Sequence, residues 1–120
     1  MFKVWTEGRK KSFITSILRG GFRKYPPKYV TLKDAFVGKK KNEKTGRIGS
    51  HYKCAKCKGV FPTKEVQIDH IKPVVDPKVG FIGWDIFIER LFCVSSNLQV
   101  LCLDCHTVKT IKEKMLRKRK

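Results

Sequence analysis

The chain has 120 residues, 41% of them hydrophobic, and 28 Lys and Arg against 10 Asp and Glu give a formal net charge of +18. This length predicts one domain with a small core, because typical domains contain about 100–150 residues, and no apolar run approaches the roughly 18 residues of a membrane span. The positive charge favours a polyanionic partner, of which nucleic acid is the usual one, over a membrane.

The N-terminal part predicts two short helices and a basic linker. Apolar residues at helical spacing predict a helix over residues 12–19, with Ser12 as its N-cap and Gly20-Gly21 as its end. A second helix is expected over residues 31–37. Residues 39–50 are rich in lysine and glycine, which predicts either a solvated loop or an arm that follows a nucleic-acid strand.

The C-terminal part predicts a strand, two helices and a turn. Over residues 66–71, Val66, Ile68 and His70 alternate with Gln67, Asp69 and Ile71. This pattern is typical of a short strand, which Pro73 would end. Residues 81–92 predict a helix whose aromatic stripe packs in the core. A turn is expected at residues 95–97, and a last helix from about Leu103, with a charged end that frays.

Two Cys-x-x-Cys pairs carry the clearest chemical signal: Cys54, Cys57, Cys102 and Cys105. Each pair directs two thiolates to one point, so the two pairs complete a tetrahedral zinc site, which is structural because no position is left for water. The chain start lacks the apolar core of a signal peptide, so an intracellular location with reduced thiols is expected, and the alternative of disulfides is disfavoured. Cys93 lies in an apolar run and is expected to be a buried thiol.

The 44 residues between the two pairs exceed the roughly 15–20 of a plain zinc ribbon, and they contain Asp69 and His70. The zinc site fixes the start of the last helix, where His106 lies, close to the strand that carries Asp69. Asp69 and His106 can then offer an oxygen and a nitrogen to a second divalent ion that keeps waters. Successive strand residues face opposite sides, which favours Asp69 as a ligand and His70 as the general base. The alternative for each histidine is a structural role.

The segments that contain these residues resemble the HNH, or ββα-metal, nuclease family. Residues 66–73, with Asp69-His70, resemble its first strand, and residues 97–110, with Cys102-x-x-Cys105-His106, resemble its loop, zinc knuckle and helix. The resemblance covers about residues 51–110. Within the family, the chain is most similar to small HNH proteins of bacteriophages, some of which behave as homing endonucleases.

The resemblance implies an α+β fold: a small ββα-metal core held by the four-cysteine zinc site, with extra helices at the N-terminus and between the two strands. It implies that His70 is the general base, that Asp69 and His106 bind a catalytic ion, usually magnesium or another divalent metal, and that Asn97 holds the loop that orients His70. The implied reaction is hydrolysis of phosphodiester bonds in DNA. Residues 51–120 would form the nuclease domain, and residues 1–50 a basic helical extension and linker.

Lys72 and Lys109 are candidate phosphate contacts in this interpretation, and the alternative for each is a solvated surface position. For the whole chain, one alternative is a non-catalytic zinc-ribbon protein that binds nucleic acid. A second alternative is a degenerate HNH domain that acts as an assembly partner. If a bacteriophage encodes the chain, the host cytoplasm is its expected location.

Overall fold

The computed structural model describes residues 4–118, which form a mixed α+β fold with four helices and two small antiparallel sheets. In chain order the elements are α1 (Glu7–Phe22), α2 (Pro26–Ala35), β1 (Phe36–Lys41), β2 (Ile48–Lys53), β3 (Val60–Pro62), β4 (Val66–His70), α3 (Trp84–Leu91), β5 (Leu98–Cys102) and α4 (Leu103–Lys118). The first sheet has the order β1-β2-β3, and the second pairs β4 with β5. Among the described residues, no helix combines the length and apolar character that crossing a membrane requires.

Helix α1 is longer than the sequence predicts, and its predicted limits are wrong. The helix begins after Thr6, whose hydroxyl oxygen accepts a hydrogen bond from the Arg9 amide at 3.2 Å, so Thr6 rather than Ser12 is the N-cap. Gly20 and Gly21 lie inside the last turn. Glycine lowers helix stability by about 1 kcal/mol but does not forbid helical backbone angles, so the pair does not end the helix.

Helix α2 also differs from its prediction over residues 31–37. It starts at Pro26, because proline at the first helical positions loses no hydrogen bond and has a suitable φ angle. It ends at Ala35, and the chain passes directly into β1.

The basic segment 39–50, predicted as a linker, instead forms most of a β-hairpin. Strands β1 and β2 pair antiparallel, with Lys41 opposite Ile48. The turn between them is closed by Asn42, whose amide donates to the Arg47 carbonyl at 2.7 Å. Strand β2 continues through residue 50, where the sequence places a domain boundary. The division into residues 1–50 and 51–120 stays a prediction.

Strand β4 and the last helix follow the predicted elements closely, whereas the sequence does not assign β5 to a strand. Strand β4 is confirmed, and its register places Asp69 opposite Gln99 and His70 opposite Leu98. Strand β5 passes directly into α4, so the order is strand, strand, helix. The predicted helix over residues 81–92 is confirmed as the shorter α3, which lies between the two strands in sequence.

Two buried clusters hold these elements together. The first contains Cys54, Leu101 and Cys102, with Phe61 packed against them. The second contains Val74, Phe87 and Leu91. Further apolar residues pack against it from α1, from α3 and from the residue after α3, namely Leu18, Phe22, Trp84 and Phe92. The aromatic stripe of α3 is therefore core, as predicted, and α1 packs against α3.

Candidate functional site

The four cysteines of the two Cys-x-x-Cys pairs form one cluster that could hold a metal ion such as zinc. The sulfur atoms of Cys54, Cys57, Cys102 and Cys105 all lie within 4.8 Å of one another, and all four thiols are free. Zinc–sulfur bonds of about 2.3 Å in a tetrahedron place sulfurs roughly 3.8 Å apart. The separation of 3.9 Å between the Cys57 and Cys102 sulfurs fits this geometry.

The first pair lies in a tight turn between β2 and β3. The Cys54 amide donates to the Gly59 carbonyl at 2.8 Å, and the Lys58 amide donates to the Cys54 carbonyl at 3.0 Å. A Cβ atom at Gly59 would lie 2.8 Å from a ring carbon of Phe61 and 3.4 Å from the Cys57 sulfur. Glycine therefore allows this turn to close around the sulfur atoms.

The second pair lies where β5 passes into α4. Cys102 is the last residue of β5, and Cys105 lies in the first turn of α4, where its amide donates to the Cys102 sulfur at 3.4 Å. The two pairs meet because the Ala55 amide donates to the Val100 carbonyl of β5 at 2.8 Å. The cluster therefore fixes the start of α4, in which His106 directly follows Cys105.

Without an ion, the thiols of the cluster hold protons unequally. Burial opposes ionisation of Cys54, but hydrogen bonds from the backbone of Cys102, Cys57 and Lys56 outweigh it and lower the pKa of Cys54 to about 6. A hydrogen bond with the Cys102 side chain, with burial in addition, raises the pKa of Cys105 to about 12. Burial is also the main reason why the pKa of Cys102 is raised. Binding of a metal ion must therefore release protons.

A cleft of about 260 Å³ beside the cluster brings together Asp69, His70 and His106. The Asp69 Oδ1 atom lies 3.9 Å from the His106 Nε2 atom, and the two side chains are 11% and 32% exposed. Two ligands of one ion can be up to about 4.2 Å apart when each bond is roughly 2.1 Å long, so one ion can reach both atoms. The remaining positions of such an ion would be open to water or to phosphate oxygens.

The Asp69 carboxylate has two further partners that the sequence does not identify in this role. Gln99, its cross-strand neighbour, donates from Nε2 to Oδ2 at 2.9 Å. The Lys109 ammonium lies 3.2 Å from Oδ2, 2.9 Å from the His70 carbonyl oxygen and 2.7 Å from Glu113 Oε1. Partial burial works against the ammonium, but Glu113 and Asp69 outweigh it and raise the pKa of Lys109. Lys109 therefore carries its charge at neutral pH beside the candidate metal ligand.

His70 is held by contacts with α3 and α1. Its Nε2 atom lies 2.8 Å from the Leu91 carbonyl oxygen, and its ring centroid is 4.9 Å from that of Phe22. Because a carbonyl oxygen can only accept, Nε2 donates the proton, and the neutral ring carries its lone pair on Nδ1. Asp69 and His70 thus line the same cleft with different partners.

Asn97 and Lys72 lie next to this cleft rather than in it. The Asn97 carbonyl accepts from the Ile71 amide at 2.8 Å, and its Oδ1 atom accepts from the Lys72 amide at 3.0 Å. Asn97 therefore fixes the backbone of the two residues that follow His70. The Lys72 side chain is exposed and lines a neighbouring groove with Asn97.

Helix α1 contributes to the cleft, although the sequence places its residues outside the site. Arg19 lines the cleft, with its guanidinium carbon 5.6 Å from the ring centroid of Phe87, and Arg117 of α4 lines it as well. Phe22 of the same helix packs against His70. Only the positive charge of these arginines is visible in the sequence, because the contact between α1 and α3 is tertiary.

Comparison of the chain with protein-family models, with curated proteins and with solved structures gave no match.

Proposed function

We propose that this protein is a metal-dependent DNA endonuclease with an HNH, or ββα-metal, core. The observation that carries the proposal is that Asp69, His70 and His106 line one cleft on a strand–strand–helix unit. The cysteine cluster beside the cleft supports the proposal, because a structural zinc there would hold the start of the helix that carries His106.

Asp69 and His106 are the residues that would hold the catalytic ion. They offer one oxygen and one nitrogen, a set that suits magnesium, manganese or another divalent ion with bound waters. Gln99 orients the Asp69 carboxylate by its hydrogen bond to Oδ2. A divalent ion bound there would supply positive charge beside the phosphate and the leaving oxygen.

His70 is the proposed general base. Its Nε2–H group is directed at the Leu91 carbonyl, which leaves Nδ1 to take a proton from water. The water oxygen then forms a bond to phosphorus, and the bond from phosphorus to the 3′ oxygen breaks. The leaving oxygen receives a proton from solvent. Asn97 acts as a positioning residue, since it fixes the backbone next to His70.

The charge of the chain supports a nucleic-acid substrate. A net charge of +18 is suited to the phosphate backbone, and Arg19 and Arg117 place two guanidinium groups at the cleft. Lys72 and Lys109 remain proposed phosphate contacts, and Lys109 must first leave Asp69 to act in this way. If about six cations meet phosphates, the logarithm of the binding constant should fall with the logarithm of salt concentration with a slope near −5.

Incubation of a supercoiled plasmid with the zinc-loaded protein tests the proposal. We expect nicked or linear DNA with magnesium or manganese and intact DNA after those ions are chelated. Asp69→Ala should lower the rate by about 100-fold or more, because it removes transition-state electrostatics of the size seen at other catalytic sites. Asp104→Ala is the matched control, since Asp104 is an exposed carboxylate of the same helix as His106.

Intact plasmid with every divalent ion, combined with DNA binding that is equal in wild type and Asp69→Ala, would contradict the proposal. That result would identify the chain as the non-catalytic zinc-ribbon binder.

Replacement of Lys109 with methionine is expected to strengthen manganese binding at the cleft by at least about threefold. The Lys109 ammonium lies 3.2 Å from Asp69 Oδ2, so an ion bound to Asp69 would lie close to this positive charge. Two positive charges about 4 Å apart near a protein surface repel each other by several kcal/mol before the structure relaxes. Titration calorimetry or manganese EPR on the zinc-loaded protein measures the affinity. Lys114→Met is the control, because Lys114 is an exposed lysine of the same helix. Equal or weaker binding in Lys109→Met would show that the ammonium does not compete with the ion.

A further inference from the structure

A second groove adjoins the cleft, and Lys72, Lys109 and Asn97, which have proposed roles above, line part of it. Its volume is about 590 Å³, and it shares Pro73, Lys109 and Glu113 with the cleft. The Lys109–Glu113 ion pair, at 2.7 Å, therefore lies where the two cavities meet. A strand whose phosphate occupies the cleft can place its neighbouring nucleotide in this groove.

The groove combines apolar and cationic lining. Apolar surface comes from Pro73, Pro77, Leu116 and Cys93. Cys93 is half-buried, so the prediction of a buried thiol is wrong. Five cationic side chains and three acidic ones surround this surface, and the cations are Lys72, Lys78, Arg90, Lys109 and Lys112. Phosphate alone gains nothing from prolines and leucine, whereas a base with its sugar and phosphate can use both kinds of lining.

We infer that this groove binds an unpaired nucleotide next to the phosphodiester bond that is cut. The inference rests on the proposed endonuclease function and names its substrate class, namely DNA with a bulge, gap or single-stranded segment at the cut. The volume lies within the range of roughly 300–1,000 Å³ that is typical of small-molecule sites. A base inside a continuous duplex is stacked and paired, so it cannot enter such a groove unless it leaves the stack.

Cys93 provides a direct probe of this groove, because the other four cysteines form the candidate zinc site. The rate of Cys93 alkylation by iodoacetamide is measured on the zinc-loaded protein without a second divalent ion. The protein is saturated in turn with a fully paired duplex, with the same duplex carrying a one-nucleotide bulge, and with single-stranded DNA. We expect the bulged and single-stranded DNA to slow alkylation by about tenfold, and the paired duplex by less than about twofold. Peptide mapping identifies the alkylated residue.

A pair of neighbouring residues on α4 supplies matched variants. Leu116 lines the groove, whereas Met115 is 54% exposed and does not line it. Leu116→Asp is expected to weaken binding of the bulged DNA at least tenfold more than binding of the paired duplex. Met115→Asp introduces the same charge and should weaken both by the same factor.

Equal protection of Cys93 by paired and bulged DNA, or no protection by any DNA, would overturn the inference. Neither result depends on cleavage, so failure of the inference is distinct from failure of the proposed function. Selective protection without cleavage by any ion would overturn the endonuclease proposal and retain nucleotide binding by the groove.

Discussion

Replacement of Cys102 with serine is expected to release the zinc ion and to abolish cooperative folding. Cys102 is 5% exposed and belongs to the buried cluster with Cys54 and Leu101, so it is both a candidate ligand and part of the core. Structural zinc contributes about 10–16 kcal/mol of binding free energy in small peptides, which is as large as the roughly 5–15 kcal/mol that stabilises an ordinary domain. Zinc content by elemental analysis, together with thermal unfolding followed by circular dichroism, measures both effects.

Cys93→Ser is the matched control for Cys102→Ser. Cys93 lies in the groove rather than in the cysteine cluster, so its replacement should leave one zinc ion per chain and the same sharp thermal transition. A sharp transition with one zinc ion per chain in Cys102→Ser would show that three cysteines are sufficient, and that the proposed coupling between zinc and folding is wrong.

The sequence predicts strand β4 and the meeting of the two cysteine pairs because the signals for both are local. The alternating pattern of β4 and the spacing of the two cysteine pairs each lie within a few residues, and the structure places these segments as expected. The position of His106 follows from its neighbour Cys105, since a ligand of the cluster has little freedom. These features need no knowledge of distant contacts.

The features that the sequence does not predict depend on distant contacts or on competing signals. Strand β1 ends in three consecutive lysines and so lacks the alternation of apolar and polar residues that is typical of a strand. Its pairing with β2 stabilises it, and this pairing is not visible in the local sequence. Gln99 acquires its contact with Asp69 only through the register of β4 and β5. Arg19 reaches the cleft because α1 packs against α3, which no local pattern indicates. Gln99 and Arg19 therefore join the site only through tertiary contacts, which the local sequence does not indicate.

Replacement of His70 with alanine is expected to lower the single-turnover cleavage rate by about 10²–10⁴ while DNA binding stays within about twofold, because a general base typically contributes that factor to the rate and does not hold the substrate. The loss of the hydrogen bond to the Leu91 carbonyl should also lower stability by about 1 kcal/mol, which is small enough for the variant to stay folded. Cleavage of a labelled DNA at saturating protein and magnesium measures the rate, and fluorescence anisotropy measures binding.

Gln67→Ala is the control for His70→Ala, since Gln67 is an exposed residue of the same strand and lies outside the cleft. Its cleavage rate should match that of the wild type. Imidazole added to the buffer should partly restore cleavage by His70→Ala but leave Gln67→Ala unchanged, because a free base can replace a missing side chain only where proton transfer limits the rate. A cleavage rate in His70→Ala equal to that of the wild type would remove His70 from the mechanism. The water would then have to lose its proton to another group that lines the cleft.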